Sequence, residues 1–188
     1  MTLSTIISGW GNYPKQKSQI AIPPSSVKLK TIITQERSLI ARGMGRSYGD
    51  SANASNVLQT SYCDHFVEFD DKTGMLIVEA GITLREVLKL IVPRGWFLPV
   101  TPGTSYVTLG GAIASDVHGK NHHTAGTFGQ YVKSLRIALG TGEVVTASPS
   151  ENMDLFYATC GGMGLTGVIL SSTIQLIPIR SSLINQKT

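Results

Sequence analysis

Cysteine is scarce in this chain: Cys63 and Cys160 stand alone, far apart and without CxxC spacing. That excludes a disulfide framework and a cysteine-rich zinc site, and it fits a reduced, cytoplasmic setting. Long hydrophobic runs are missing too. No apolar stretch approaches the roughly 18 to 20 residues that cross a bilayer, and the N-terminus lacks a basic segment followed by an apolar core. The expectation is a soluble protein without a transmembrane segment, for which a peripheral position at a membrane stays open. Blocks of like charge are absent as well. The formal net charge is +4, yet Lys28, Arg42, Arg46, Lys72, Arg85 and Lys89 are scattered and form no track for a nucleic acid. A modest basic excess suits a small anionic ligand. With 41% hydrophobic residues over 188 positions, the chain has ample material for a packed core and no compositional sign of disorder.

The pattern that is present alternates strands and helices irregularly. Residues 1–21, with "WGNYPKQKSQIA", are polar and proline-bearing and read as an extended lead-in. A short helix is expected from Ser25 or Ser26 to about Gln35, with Leu29, Ile32 and Ile33 on its apolar side. "SLIAR" reads as a buried strand, "FVEFD" and "GMLIVEA" as a hairpin about "DKTG", and "TLREVLKLIVPRG" as a helix with capping-box spacing between Thr83 and Glu86. "WFLPV" is a short strand. "VKSLRIAL" and "EVVTAS" form a second hairpin, "NMDLFYATCGG" a short helix ending at glycine, and "GLTGVILSSTIQLI" a long strand. This order favours an α+β fold over a doubly wound sheet.

Two glycine-rich segments carry the chemistry, "RGMGRSYGD" from Arg42 and "PGTSYVTLGGAIASDVHG" from Pro102. Glycine lets backbone N–H groups approach an anion because no Cβ blocks the way. Neither segment is a P-loop or a dinucleotide-binding fingerprint, and each alone is explained as a structural turn. Together, each following a short strand, they can grip two sides of one pyrophosphate. Three of the four histidines, His118, His122 and His123, lie in or beside the second segment. Their HxxxHH spacing lacks the carboxylates or cysteines of a metal site, so no metal is expected. His118 is either a ligand contact or a packed core histidine, while His122 and His123 organise the loop with Lys120 and Asn121. His65 reads as a surface residue, Cys160 as a small packed residue, and Trp96 and Phe97 as core. Tyr48, in a glycine-rich loop, suits a ligand contact at least as well as burial.

Four blocks taken together, "ARGMGRSYGDSA", "TPGTSYVTLGGAIASDVHGKNHH", "GTFG" and "LFYATCGGMGLTGVI", resemble the FAD-binding (PCMH-type) domain of the vanillyl-alcohol oxidase superfamily, in its decaprenylphosphoryl-ribose 2-oxidase-like branch. The resemblance spans residues 22–178 and implies two α+β subdomains clasping an extended FAD. Residues 179–188 would then start a linker to a C-terminal substrate domain that this chain does not contain.

By the same resemblance, Arg42, Gly43, Met44, Gly45, Arg46, Ser47, Tyr48 and Gly49 form the first pyrophosphate loop, with Tyr48 near the flavin. Pro102, Gly103 and Thr104 lie beside the isoalloxazine ring, and Thr108, Leu109, Gly110 and Gly111 make the second pyrophosphate turn. Ser115, Asp116, Val117 and His118 wall the flavin, the strand entry from Gly162 through Val168 closes over it with Gly167 and Val168 as the contacts, and His118 is the candidate catalytic, substrate-side contact. Arg46 stands where covalently flavinylated members carry histidine, so the FAD is expected to be non-covalent. The implied activity is oxidation of a sugar or polyol hydroxyl, a polyprenyl-phosphate-linked pentose among the candidates, with an electron acceptor or an epimerase-type reductase as partner. The alternative from another class is a non-enzymatic nucleotide-binding or assembly module.

Overall fold

The computed structural model describes residues 2–35 and 38–183, so the end of the expected linker segment, 184–188, lies outside the described residues. The segment expected as an extended lead-in is instead a hairpin. β1 (Thr2–Ser8) and β2 (Lys15–Ala21) pair antiparallel along their whole length, Thr2 opposite Ala21 and Ser8 opposite Lys15. Its polar composition hides the strand period. In β2, Lys15, Lys17 and Gln19 face solvent while Ser18 and Ile20 alternate inward, and the Ser18 hydroxyl donates to the Ala54 carbonyl at 2.6 Å.

Helix α1 (Ser26–Gln35) follows, burying Leu29 and Ile33, and leads to β3 (Ile40–Arg42). The glycine-rich loop after β3 returns to β4 (Asn56–Gln59), which lies at the centre of this first sheet, parallel to both β2 and β3, in the order β1-β2-β4-β3. Only Val57 and Leu58 of β4 are buried, too short an apolar pair to stand out in sequence.

The second sheet is antiparallel throughout. The expected hairpin is β5 (Phe66–Asp70) and β6 (Met75–Glu79). α2 (Leu84–Ile91) starts as the capping box requires, with Thr83 Oγ1 accepting the Glu86 N–H at 3.2 Å, and it buries Leu84, Val87 and Ile91. It ends through a 3-10 turn at Gly95, whose φ of 79° is left-handed. After β7 (Trp96–Phe97) come two short helices, α3 (Leu109–Ala114) and α4 (His122–Ala125). β8 (Val132–Ala138) and β9 (Val144–Ala147) form the second hairpin, α5 (Met153–Thr159) follows, and β10 (Val168–Gln175) inserts between β6 and β8. β11 (Ile177–Pro178) pairs back onto β7.

The main core lies between this five-stranded sheet and its helices, with Leu76, Val78, Val87, Ile91, Leu109, Ile113, Phe128, Leu135 and Ile137 all essentially inaccessible. A smaller cluster joins the two sheets: Leu29 and Ile33 of α1 and Leu58 of β4 pack with Ala138, Val168 and Leu170 of β8 and β10. Burial of these apolar groups holds the sheets in one unit. The fold is α+β, and the two glycine-rich segments meet where the sheets adjoin.

Candidate functional site

The meeting point is a close backbone approach. A Cβ on Gly43 would fall 2.2 Å from Thr108 Oγ1 and 2.8 Å from its Cγ2, so the loop after β3 rests directly on the residue that begins α3. Thr108 is buried and accepts the Gly111 N–H on its Oγ1 at 3.1 Å, capping the helix. Gly110 presses on the end of β6 in the same way, since a Cβ there would stand 2.9 Å from Ala80 Cβ. The two segments thus enclose a cavity of about 700 Å³, within the roughly 300–1,000 Å³ typical of small-molecule sites.

Most of the residues expected at the site line this cavity: Arg42, Gly43, Met44, Gly45, Arg46, Ser47 and Tyr48 from the first segment, and Pro102, Gly103, Thr104, Thr108, Gly110, Gly111, Ser115, Val117 and His118 from the second, with Gly167. Four do not. Gly49 lies past the rim. Leu109 is wholly buried in the core beneath the cavity, and Val168 is buried in the cluster that joins the two sheets. Asp116 turns away, its φ of 40° left-handed, and its carboxylate accepts the Gly129 N–H at 2.7 Å. It shapes the loop rather than the wall.

The donors are divided unevenly. In the second segment the Leu109 and Gly110 N–H groups donate to the Ile82 and Ala80 carbonyls, each at 2.8 Å, and the Gly111 N–H is held by Thr108. The expectation that both segments offer backbone donors to one pyrophosphate therefore fails for these three positions: the Leu109 and Gly110 N–H groups dock α3 onto the residues that follow β6, and the Gly111 N–H is used in the cap of α3. In the first segment, among the described residues, no protein acceptor takes the N–H of Gly43, Met44, Gly45, Arg46 or Ser47. The Ser47 hydroxyl is likewise buried without a partner. Unmet donors and a buried unpaired hydroxyl in a cavity wall are what a bound anion satisfies.

The two arginines of the loop do different things. Arg42 donates to the Ser8 carbonyl at 2.7 Å, the Ala52 carbonyl at 3.1 Å and Asn53 Oδ1 at 2.8 Å, so it ties the first hairpin to the loop although it lines the cavity. Burial, then the nearby Arg46 charge, lower its pKa from the ordinary guanidinium value. Arg46 donates to the Met44 carbonyl at 2.7 Å and lies over the ring of Trp10 at 5.2 Å. Among the described residues no carboxylate lines the cavity. Its charged residues are these two cations, which favours an anionic occupant.

His118 is exposed and stands where this cavity meets a second one of about 750 Å³, walled also by Pro102, Gly103, Lys120, Asn121 and His122. It bridges to Thr127 through its backbone, and its ring lies 5.5 Å from that of His122. The packed-core alternative for His118 is thereby corrected: an exposed ring at the junction of two cavities is not core. Asn121 organises the loop, donating to the Pro99 carbonyl at 3.0 Å. No cluster of metal ligands occurs among the described residues. Sequence reasoning missed Trp10, Thr60, Ala80 and Ile169 in the first cavity's wall. Met163 and Gly164, which lie within the segment 162–168 expected to close over the cofactor, also line the cavity, although only Gly167 and Val168 were expected as contacts. Trp10 carried no local signal, because only the folded hairpin brings it there.

A family model described as FAD binding domain matches residues 26–148. The chain is 39% identical over 189 residues to decaprenylphosphoryl-beta-D-ribose oxidase of Mycolicibacterium smegmatis, an alignment covering 96% of this chain and 41% of that protein. It is 33% identical over 114 residues to Delta(24)-sterol reductase of Homo sapiens, covering 61% and 22%. A putative D-arabinono-1,4-lactone oxidase of Neurospora crassa is 26% identical over 175 residues, covering 90% and 31%. The chain thus spans about two fifths or less of the length of these relatives. With the cavity, its unmet donors and the matched model in agreement, the chain belongs to the FAD binding domain family.

Proposed function

We propose that this chain holds FAD non-covalently in the cavity between its two sheets and forms the flavin side of an oxidoreductase that oxidises a sugar or polyol hydroxyl. The observation that carries the cofactor assignment is the first loop: among the described residues, five consecutive N–H groups and the Ser47 hydroxyl are unpaired, and their residues, with Arg46, line a cavity that no carboxylate lines. These groups fit a diphosphate, and their chemistry is that of backbone donors and a guanidinium holding phosphate oxygens. Gly103, around which a Cβ would meet nothing within 4 Å, leaves room for a planar ring against the backbone. When bound, FAD supplies a hydride acceptor. The chain's part is to position it and to present His118, from the junction of the two cavities, to the substrate hydroxyl, where an imidazole nitrogen takes the proton as the hydride leaves carbon.

The substrate class follows from the similarity to the decaprenylphosphoryl-ribose and arabinonolactone oxidases, with a polyprenyl-phosphate-linked pentose favoured by the higher identity of the former. Lys120, exposed in the wall of the second cavity beyond His118, suits the phosphate of such a substrate. The electrons then pass to an acceptor or a reductase partner outside this chain. Titration of the purified protein with FAD, followed by flavin absorbance, tests the binding. Saturable one-to-one uptake with release of free flavin on acid precipitation is expected, and no uptake would refute it. Incubating the full gene product with polyols, aldonolactones and polyprenyl-phosphate pentoses then tests the activity by anaerobic bleaching of the flavin band. Uptake without bleaching by any of these would leave a nucleotide-binding module.

A further inference from the structure

We propose that the β1–β2 hairpin is a functional part of the FAD site, in which Trp10 positions Arg46 over the anion-binding loop; this rests on the flavin assignment above. The hairpin touches that loop at four points. The Trp10 N–H donates to the Ser47 carbonyl at 2.8 Å. A Cβ on Gly9 would fall 2.6 Å from the Gly49 carbonyl oxygen and 2.7 Å from that of Ser47, so the turn is in backbone contact with the loop. Arg42 reaches from β3 to the Ser8 carbonyl, and the Arg46 guanidinium lies over the Trp10 ring.

The state of the indole separates positioning from mere support. Trp96, a structural tryptophan, is partly buried against the core and donates its ring N–H to the Asp71 carbonyl at 3.0 Å. Trp10 is 56% exposed, lines the cavity, and carries a cation on its face. A ring left half in solvent beside a cavity adds little as packing. As a platform it restricts a long side chain whose only hydrogen bond among the described residues is to Met44 of its own loop, and so pre-orders a charge that would otherwise have to be fixed when the ligand binds. The hairpin thus acts twice on the same anion: it braces the loop that presents the N–H donors, and it holds the guanidinium that complements them.

The test is FAD affinity of the purified chain, wild type beside Trp10→Ala and Trp10→Phe, over a series of salt concentrations, with thermal unfolding of each protein measured without FAD. Trp10→Ala is expected to bind FAD on the order of tenfold more weakly, with a flatter dependence on salt because Arg46 is no longer held at the anion. Its melting temperature should stay near that of the wild type, and Trp10→Phe, which keeps a ring under the guanidinium, should recover most of the affinity. Unchanged affinity in Trp10→Ala, or a loss that comes with a collapse in melting temperature and is not rescued by Phe, overturns the positioning role while leaving the flavin assignment intact. Failure of the wild type itself to bind FAD overturns both.

Discussion

Substituting Gly43 by alanine tests whether the two glycine segments are held together as described. The new methyl carbon would sit 2.2 Å from Thr108 Oγ1, 2.8 Å from Cγ2 and 3.0 Å from Cβ, so no rotation of Thr108 clears it entirely. Thr108 is 2% exposed and cannot swing into solvent. Relieving the overlap costs an overpacking penalty of about 1–3 kcal/mol. Turning the hydroxyl away from Gly111 adds the loss of a helix cap, about 0.5–2 kcal/mol. A destabilisation of about 1.5–5 kcal/mol should lower the melting temperature of a chain this size by roughly 3–20 °C, measured by circular dichroism without FAD. Gly103→Ala is the control. Its Cβ meets nothing within 4 Å, so the melting temperature should not move while FAD affinity falls, because the methyl group enters the cavity. The cycle with Thr108→Ala sharpens the test: removing the hydroxyl and the methyl group that Gly43→Ala strikes should make the double mutant less destabilised than the sum of the singles. A Gly43→Ala protein as stable as the wild type, or strictly additive effects with Thr108→Ala, would refute the contact.

Three further outcomes follow from particular groups. Ser172 is 2% exposed, and among the described residues its hydroxyl in β10 has no partner, so Ser172→Ala should leave stability unchanged or raise it by up to about 1 kcal/mol in chemical denaturation; a clear loss would mean that the hydroxyl has a partner. His65 is held by Glu79 Oε2 at 2.8 Å, and that hydrogen bond, then the Glu79 charge, raise its pKa above the usual 6.5. The pair's small contribution is therefore full below pH 6.5 and lost as pH rises through the raised value, and NMR titration of the ring should find a midpoint above that of His65 in a Glu79→Gln protein. Burial first, and then nearby carboxylates, push the thiols of Cys63 and Cys160 up to about 11. Both should react slowly with iodoacetamide at pH 8 in the folded protein and quickly in denaturant, and rapid native labelling would contradict that environment.

Most of the second sheet was legible because its elements follow local rules. The Thr83–Glu86 box, the "DKTG" turn and the long run of β10 each signal their own structure. What stayed hidden depends on distant partners. β1 and β2 bury few side chains, and β4 only two, so their strand character comes from pairing rather than from an apolar period. α3 was concealed by Gly110 and Gly111, poor helix formers that suggest a turn, although Leu109, Ala112 and Ile113 keep helical spacing. Tertiary contact wins there, since Gly110 is needed against Ala80. At the site, the glycine letters located the cavity but could not separate their purposes. Gly43 and Gly110 serve packing, Gly45 has a left-handed φ of 66° beside the Arg42 guanidinium, and Gly103 faces open space.

That division of roles makes the first loop electrostatically unbalanced. Arg42 is anchored by three acceptors, two of them neutral carbonyls and the third a neutral amide oxygen, so none cancels its charge. Arg46 lies close enough to disfavour that charge, and no carboxylate enters the wall among the described residues. The fold places two like charges side by side and fixes one through hydrogen bonds that a ligand need not break. A diphosphate entering the loop would therefore gain twice, by pairing with Arg46 and the free N–H groups, and by relieving the repulsion between the two guanidinium groups. At Leu109, Gly110 and Gly111 the second segment cannot substitute for this loop, because those N–H groups already hold and cap α3. Affinity for the anion should thus rest on the first segment and the hairpin behind it, while the second segment contributes Gly103, Thr104 and His118 to the cavity wall.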